Sequence, residues 1–261
     1  MVAADYAVYL PLAEALADAA GAVIRPYFRT RTPIDIKTDH SPVTLADREA
    51  ETCMRELLGE RVPEHGIVGE EFGSERSDAE YVWVLDPIDG TKAFLSGQPT
   101  FGTLIALLYG GVPVLGVIDQ AVSRERWVGV QGKGTRFNGA AAGTRPCERL
   151  AEATLYATSP DMFKGPDAPR FAQLGSEANL TRYGLDCYAY GLLASGFVDL
   201  VVEASLASYD FCALVPVIEG AGGSMTDWQG QPLRLQSDGR VVAAGDARVQ
   251  SEALRILASP G

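Results

Sequence analysis

Between residues 101 and 130 the chain carries three strand-length apolar runs almost back to back: Phe101 to Leu108, Val112 to Asp119 and Arg124 to Val130. Gly110-Gly111, between the first two, supplies the residues of a tight hairpin turn, so these runs read as antiparallel neighbours. Three such strands without an intervening helix exclude a simple Rossmann alternation and commit the middle of the chain to an antiparallel sheet.

The flanks are mixed. An amphipathic helix spans 5–29, with Leu12, Leu16, Ala19 and Val23 at helical spacing. A short strand at Ile34 to Lys37 precedes Ser41-Pro42-Val43-Thr44, which reads as a helix start. Thr44 then caps a helix over about 45–59 with Asp47 in its first turn. Gly66 to Gly69 and Tyr81 to Leu85 are brief strands. From about residue 150 the order is strand (153–158), helix (167–174), strand (180–183), helix (187–195) and strand (198–203). A helix over 210–221 stops at Gly222-Gly223, and a strand (241–244) and a helix (247–258) close the chain. Without a linker or repeat, the 261 residues read as one α+β domain of two packed halves, 1–149 and 150–261, long enough to bury a full core.

Charge narrows the partners. The net charge is −12, with 22 basic against 34 acidic residues and no basic run, which argues against nucleic acid or an anionic membrane. Apolar runs such as Leu104 to Tyr109 are too short to span a bilayer, and Met1 to Asp5 lack the features of a signal peptide. The four cysteines (Cys53, Cys147, Cys187, Cys212) have no paired spacing and read as thiols in a reducing cytoplasm.

The chemistry concentrates in Trp83 to Lys92. Asp86 and Asp89 flank Pro87-Ile88, and such a kinked loop can aim both carboxylates and the Ile88 carbonyl toward one point. Gly90-Thr91 follow at once with N–H groups at a helix start, a place for an anion. Taken singly, Glu70-Glu71 reads as a solvated loop pair, Asp210 as a helix cap and Asp47 as an acid favoured by the helix dipole. Other chemistries lack their parts. His40 and His65 each sit in a polar loop, and neither a Gly-x-Ser-x-Gly elbow nor a P-loop is present. Gly132-Lys133-Gly134 is a turn rather than a dinucleotide loop. An all-oxygen site suited to Mg²⁺ survives.

These residues resemble the inositol monophosphatase family of Mg²⁺-dependent phosphatases. Gly69-Glu70-Glu71, Trp83 to Thr91, and Tyr209-Asp210 with the helix to Gly222-Gly223 match three of its blocks in order; Lys37, Ser41 to Thr44 and Asp47 match the segment before them. The resemblance implies the layered α/β/α/β/α sandwich shared with fructose-1,6-bisphosphatase, and a homodimer. It implies that Glu70, Asp86, the Ile88 carbonyl, Asp89 and Asp210 ligate two or three Mg²⁺ ions, while Gly90 and Thr91 hold the phosphate. An activated water would attack phosphorus in line, positioned and deprotonated by Glu70 and by Thr91 backed by Asp47.

Within the family, Phe101 to Leu108, Gly116 to Gln120, Glu125-Arg126-Trp127 and Asp186 to Tyr190 resemble the histidinol-phosphate phosphatase branch. Its substrate carries an amine and an imidazole, and Asp186 and Glu203 fall where the family contacts the alcohol. Leu185 in place of glycine, Ala207-Ser208 in place of Lys-Pro, and Ala121 in place of proline depart from the branch. Lys92 also resembles the branch that cleaves 3′-phosphoadenosine 5′-phosphate, an inositol-1-phosphate phosphatase is a further alternative, and an inactive metal- or phosphate-binding regulator is the rival of another class.

Overall fold

Period-two alternation along the central runs sorts their side chains onto two faces of a sheet, and the whole architecture follows from covering both. The structure, a computed structural model, describes residues 5–30, 34–36 and 42–258, with the backbone alone at 34–36 and 42–44. Lys37, His40, Ser41 and the segment Met1 to Ala4 lie outside the described residues.

The first half runs α1 (Leu10–Tyr27), β1 (Ile34–Ile36), β2 (Pro42–Thr44), α2 (Leu45–Arg61), β3 (Gly66–Gly69), β4 (Gly73–Glu75), β5 (Tyr81–Asp89) and α3 (Thr91–Leu95). It continues with β6 (Gly102–Tyr109), β7 (Val112–Gln120), β8 (Glu125–Val130), β9 (Gly134–Phe137) and β10 (Ala140–Ala141). The second half runs β11 (Thr154–Ala157), α4 (Asp167–Glu177), β12 (Leu180–Tyr183), α5 (Tyr188–Ala194) and β13 (Leu200–Glu203). It ends with α6 (Ser208–Phe211), α7 (Leu214–Gly220), β14 (Ser224–Thr226), β15 (Val241–Ala244) and α8 (Ala247–Leu257).

An eight-stranded sheet has the order β10-β9-β8-β7-β6-β5-β3-β4, antiparallel except where β3 runs parallel to β5. On one face Trp83, Leu85, Ile105, Leu107 and Val117 meet Leu16, Ile24 and Met54 of α1 and α2. On the other, Val84, Leu104, Ala106 and Trp127 meet α5 and α7 through Tyr190, Leu193, Val217 and Ile218. That helical layer also covers Val201 and Ala243 of a five-stranded sheet, order β12-β11-β13-β15-β14. The far face of this second sheet (Leu155, Val202, Val242, Ala244) buries α4 and α8 through Phe171, Leu174, Val249 and Ala253. The result is the α/β/α/β/α sandwich. α7 lies backbone to backbone on the first sheet: a Cβ on Gly116 would stand 1.9 Å from the Ala213 carbonyl, and one on Gly129 2.2 Å from that of Pro216.

Several local expectations shift. Pro42–Thr44 is itself a strand, antiparallel to Ile34–Ile36, and the helix begins directly after it at Leu45, where it was expected. The helix expected over 210–221 is broken into α6 and α7. Pro216 explains the break, since it has no N–H to donate and its ring crowds the carbonyl four residues back, at Cys212. Contrary to the expectation that every apolar run is too short to span a bilayer, the segment Tyr6–Tyr27 is long and apolar enough to cross a membrane by length and composition. In the fold, Ala13, Leu16, Ala17, Ala20 and Ile24 recur at helical spacing and form its face onto the sheet. His65 does stand in a loop, between α2 and β3, but its ring is buried, accepting a hydrogen bond on Nδ1 from Trp83 Nε1 at 3.1 Å and stacking on Tyr81.

Candidate metal and phosphate site

Two acids three residues apart on a regular strand point to opposite faces, so an Asp-x-x-Asp spacing would scatter its carboxylates. β5 solves this with a bulge. Asp86 pairs with Leu104 and Asp89 with Gly102, so three steps on one strand oppose two on the other, and the extra residue turns both side chains to the same side. The strand thus continues to Asp89, four residues beyond the apolar run read from the sequence. The bulge is pinned: Ile88 N–H donates to Asp86 Oδ1 at 3.0 Å, and Thr103 Oγ1 donates to the Pro87 carbonyl at 2.8 Å.

Asp210 enters from the helical layer. It stands in α6, and its Oδ2 accepts from Ala207 N–H at 2.7 Å, which fixes the side chain toward β5. One carboxylate oxygen from each of Asp86, Asp89 and Asp210 lies within 4.8 Å of the others. Glu70, directly after β3, is their neighbour: it hydrogen-bonds to Asp86, and its charge repels both Asp86 and Asp210. Burial, with this repulsion added, holds Asp86 well above the usual carboxylate range. Burial does the same for Asp89, reinforced by Asp186 and Asp210 and opposed by the Cys187 N–H, which donates to its Oδ2 at 2.7 Å. Asp210 is pushed up to about 7, chiefly by burial. Buried hard oxygen donors that repel one another are the donor set a small divalent cation relieves.

The residues expected to hold the phosphate follow the bulge. Gly90, at φ 84 and ψ 40, is left-handed, a conformation glycine adopts without a Cβ penalty, and it starts α3. Thr91 Oγ1 donates to the Ile88 carbonyl at 3.2 Å, joining two of the expected site residues. Asp47 is buried in the first turn of α2, directly after β2, which lies against α3.

The two residues expected to meet the alcohol are also here. Asp186 presses on Gly90: a Cβ there would be 2.8 Å from its Cγ. Burial raises Asp186 to about 6, with Lys92 opposing. Glu203 is buried, accepting from Thr158 N–H and from the Tyr190 hydroxyl, each at 2.8 Å. Burial raises its carboxyl while those bonds oppose the rise. A cavity of about 100 Å³ is lined by Asp89, Asp186, Tyr190, Glu203 and Asp210, and no lysine or arginine is among its lining residues. The sequence reading missed Tyr190, Thr103 and Glu51. For Glu51 the signal was present, since it follows Asp47 at helical spacing and precedes Arg55 by four.

This fold and this site together are those of a metal-dependent phosphatase. A model of the inositol monophosphatase family matches residues 5–259, and the chain belongs to that family. It is 50% identical over 258 residues to "Bifunctional phosphatase IMPL2, chloroplastic" from Arabidopsis thaliana, spanning 95% of this chain and 75% of that protein. A histidinol-phosphatase from Mycobacterium tuberculosis is 37% identical over 85% of this chain and 88% of its own length. Among solved structures, an inositol monophosphatase from Zymomonas mobilis superposes with a TM-score of 0.91 at 50% identity, covering 98% of this chain and all of the other.

Proposed function

We propose that the protein is a Mg²⁺-dependent phosphomonoesterase that hydrolyses L-histidinol phosphate to L-histidinol and phosphate. One observation carries the substrate assignment: beyond Asp89 and Asp210 of the acid cluster, the adjoining cavity is lined by the further carboxylates of Asp186 and Glu203 and by Tyr190, without a basic residue. Such a lining favours a leaving alcohol that carries positive charge, as an amine and a protonated imidazole do. The histidinol-phosphatase relatives from Mycobacterium tuberculosis and Chlorobaculum parvum, 37% and 34% identical, support the same reading.

In this reading Glu70, Asp86, the Ile88 carbonyl, Asp89 and Asp210 hold two or three Mg²⁺ ions. Bound there, the ions supply Lewis acidity and lower the pKa of water. Gly90 and Thr91 present backbone donors to the phosphate oxygens and orient the ester. Glu70, with Thr91 backed by Asp47, positions the attacking water and takes its proton. Asp186 and Glu203 receive the amino alcohol. The whole chain, 1–261, acts as one domain in the cytoplasm, where its four free cysteines stay reduced, and it pairs as a homodimer.

A second reading, an inositol-1-phosphate phosphatase, is favoured by the Zymomonas neighbour at 50% identity. A 3′(2′),5′-bisphosphate nucleotidase is a weaker fit, because the cavity offers a second phosphate no cation. Phosphate release from histidinol phosphate, inositol 1-phosphate, adenosine 3′,5′-bisphosphate and fructose 1,6-bisphosphate separates these. We expect Mg²⁺-dependent turnover of histidinol phosphate above the rest, and its loss in Asp86→Asn. Preference for inositol 1-phosphate would overturn the substrate, and no turnover of any ester would favour the inactive regulator.

A further inference from the structure

The turn that presents Glu70 is held from beneath by α2. Gly69 and Gly73 face each other across β3 and β4, and Glu70, Glu71 and Phe72 reverse the chain between them. All three backbone N–H groups of that turn are engaged. Glu70 donates to the Leu85 carbonyl at 3.2 Å. Glu71 donates to Glu51 Oε2 at 2.7 Å and Phe72 to Glu51 Oε1 at 3.2 Å.

Glu51 is itself immobilised. It is 0% exposed, and Arg55 Nε donates to its Oε1 at 2.8 Å. The same guanidinium reaches Glu75 Oε1 at 2.9 Å and the Gly73 carbonyl, closing a clamp around the far side of the turn. The fit leaves no slack: a Cβ on Gly69 would lie 2.0 Å from Glu51 Oε1.

We infer that Glu51 is a positioning residue for the metal site, its two oxygens fixing the Glu70–Phe72 turn so that the Glu70 carboxylate stays beside Asp86 and Asp210. The inference rests on the reading of Glu70 as a metal ligand. An acceptor-only group with two oxygens suits a place where three donors converge, because an amide would turn an N–H toward at least one of them. Residues that orient a ligand set metal affinity as well as stability.

The test is Mg²⁺ titration calorimetry of the whole protein, with steady-state kinetics and metal-free melting alongside. Glu51→Gln should weaken Mg²⁺ binding by about 10–100-fold, while KM for histidinol phosphate at saturating Mg²⁺ moves by less than about threefold. Arg55→Gln, which keeps the carboxylate and loosens the clamp, should shift Mg²⁺ binding in the same direction by less, and it serves as the test if Glu51→Gln does not fold. Unchanged Mg²⁺ affinity with a lowered melting temperature would make Glu51 merely structural and overturn the inference. A wild-type protein that neither binds Mg²⁺ nor releases phosphate from any of the esters would instead overturn the reading of the site.

Discussion

At the scale of single residues, the site depends on where one extra residue falls. Asp86 and Asp89 share a face only because β5 gains a residue against β6 between them. A residue-scale test lies outside the acids, at His65. Burial lowers its pKa from the usual 6.5, with Glu64 opposing, and neutral Nδ1 accepts from Trp83. The folded chain therefore resists protonation more than the unfolded one. The contribution of His65 to stability is complete above about pH 6.5 and is lost as pH falls below it toward the folded pKa. In urea unfolding, the stability advantage of the wild type over His65→Gln should shrink between pH 7.5 and pH 5. A pH-independent difference would mean that the ring is not held neutral.

Elements were legible in the sequence where their signals were local. The Gly110-Gly111 hairpin, the three central strands and the Tyr188–Ala194 helix carry their own turn residues and periodicity. Asp86 and Asp89 were legible in their loop, whereas Asp210 read on its own as a helix cap and joined them only through the family resemblance; the structure brings the three together. What escaped was non-local. The β5 bulge is a mismatch of register with β6, and Glu51 matters only because a turn from another element lands on it. His65 looked solvated because nothing nearby in sequence reveals the Tyr81 and Trp83 rings that enclose it. The α7 seat on the sheet gives an element-scale prediction. Gly129→Ala would place a methyl against the Pro216 carbonyl, costing about 3 kcal/mol, because neither backbone can retreat without moving the layer that carries Asp210. Chemical unfolding measures this, and an unchanged midpoint would show that α7 can slide.

Across the whole molecule, the site is a junction. Asp86 and Asp89 belong to the eight-stranded sheet, Glu203 to the five-stranded sheet, and Asp210 to the helical layer between. A cation held there would tie the layers together and relieve the mutual repulsion of the acids. At about 100 times its Kd, such binding adds about 2.7 kcal/mol, which at about 2–4 °C per kcal/mol predicts a rise in Tm of about 5–10 °C. Melting with Mg²⁺ against chelator should show this in the wild type and not in Asp210→Asn; an equal rise in both would place the ion elsewhere.

The contact between Asp186 and Gly90 also limits how such an enzyme could diverge. Position 186 has φ 47, where aspartate, asparagine and glycine are the natural occupants, and its side chain already fills the space that a Cβ on Gly90 would take. A lineage drifting toward a neutral or bulkier alcohol has few steps open there. Asparagine removes the charge and glycine opens room, while larger replacements would press on Gly90 and the start of α3. Change would then come more readily at Glu203 and Leu206, which line the same cavity as Asp186.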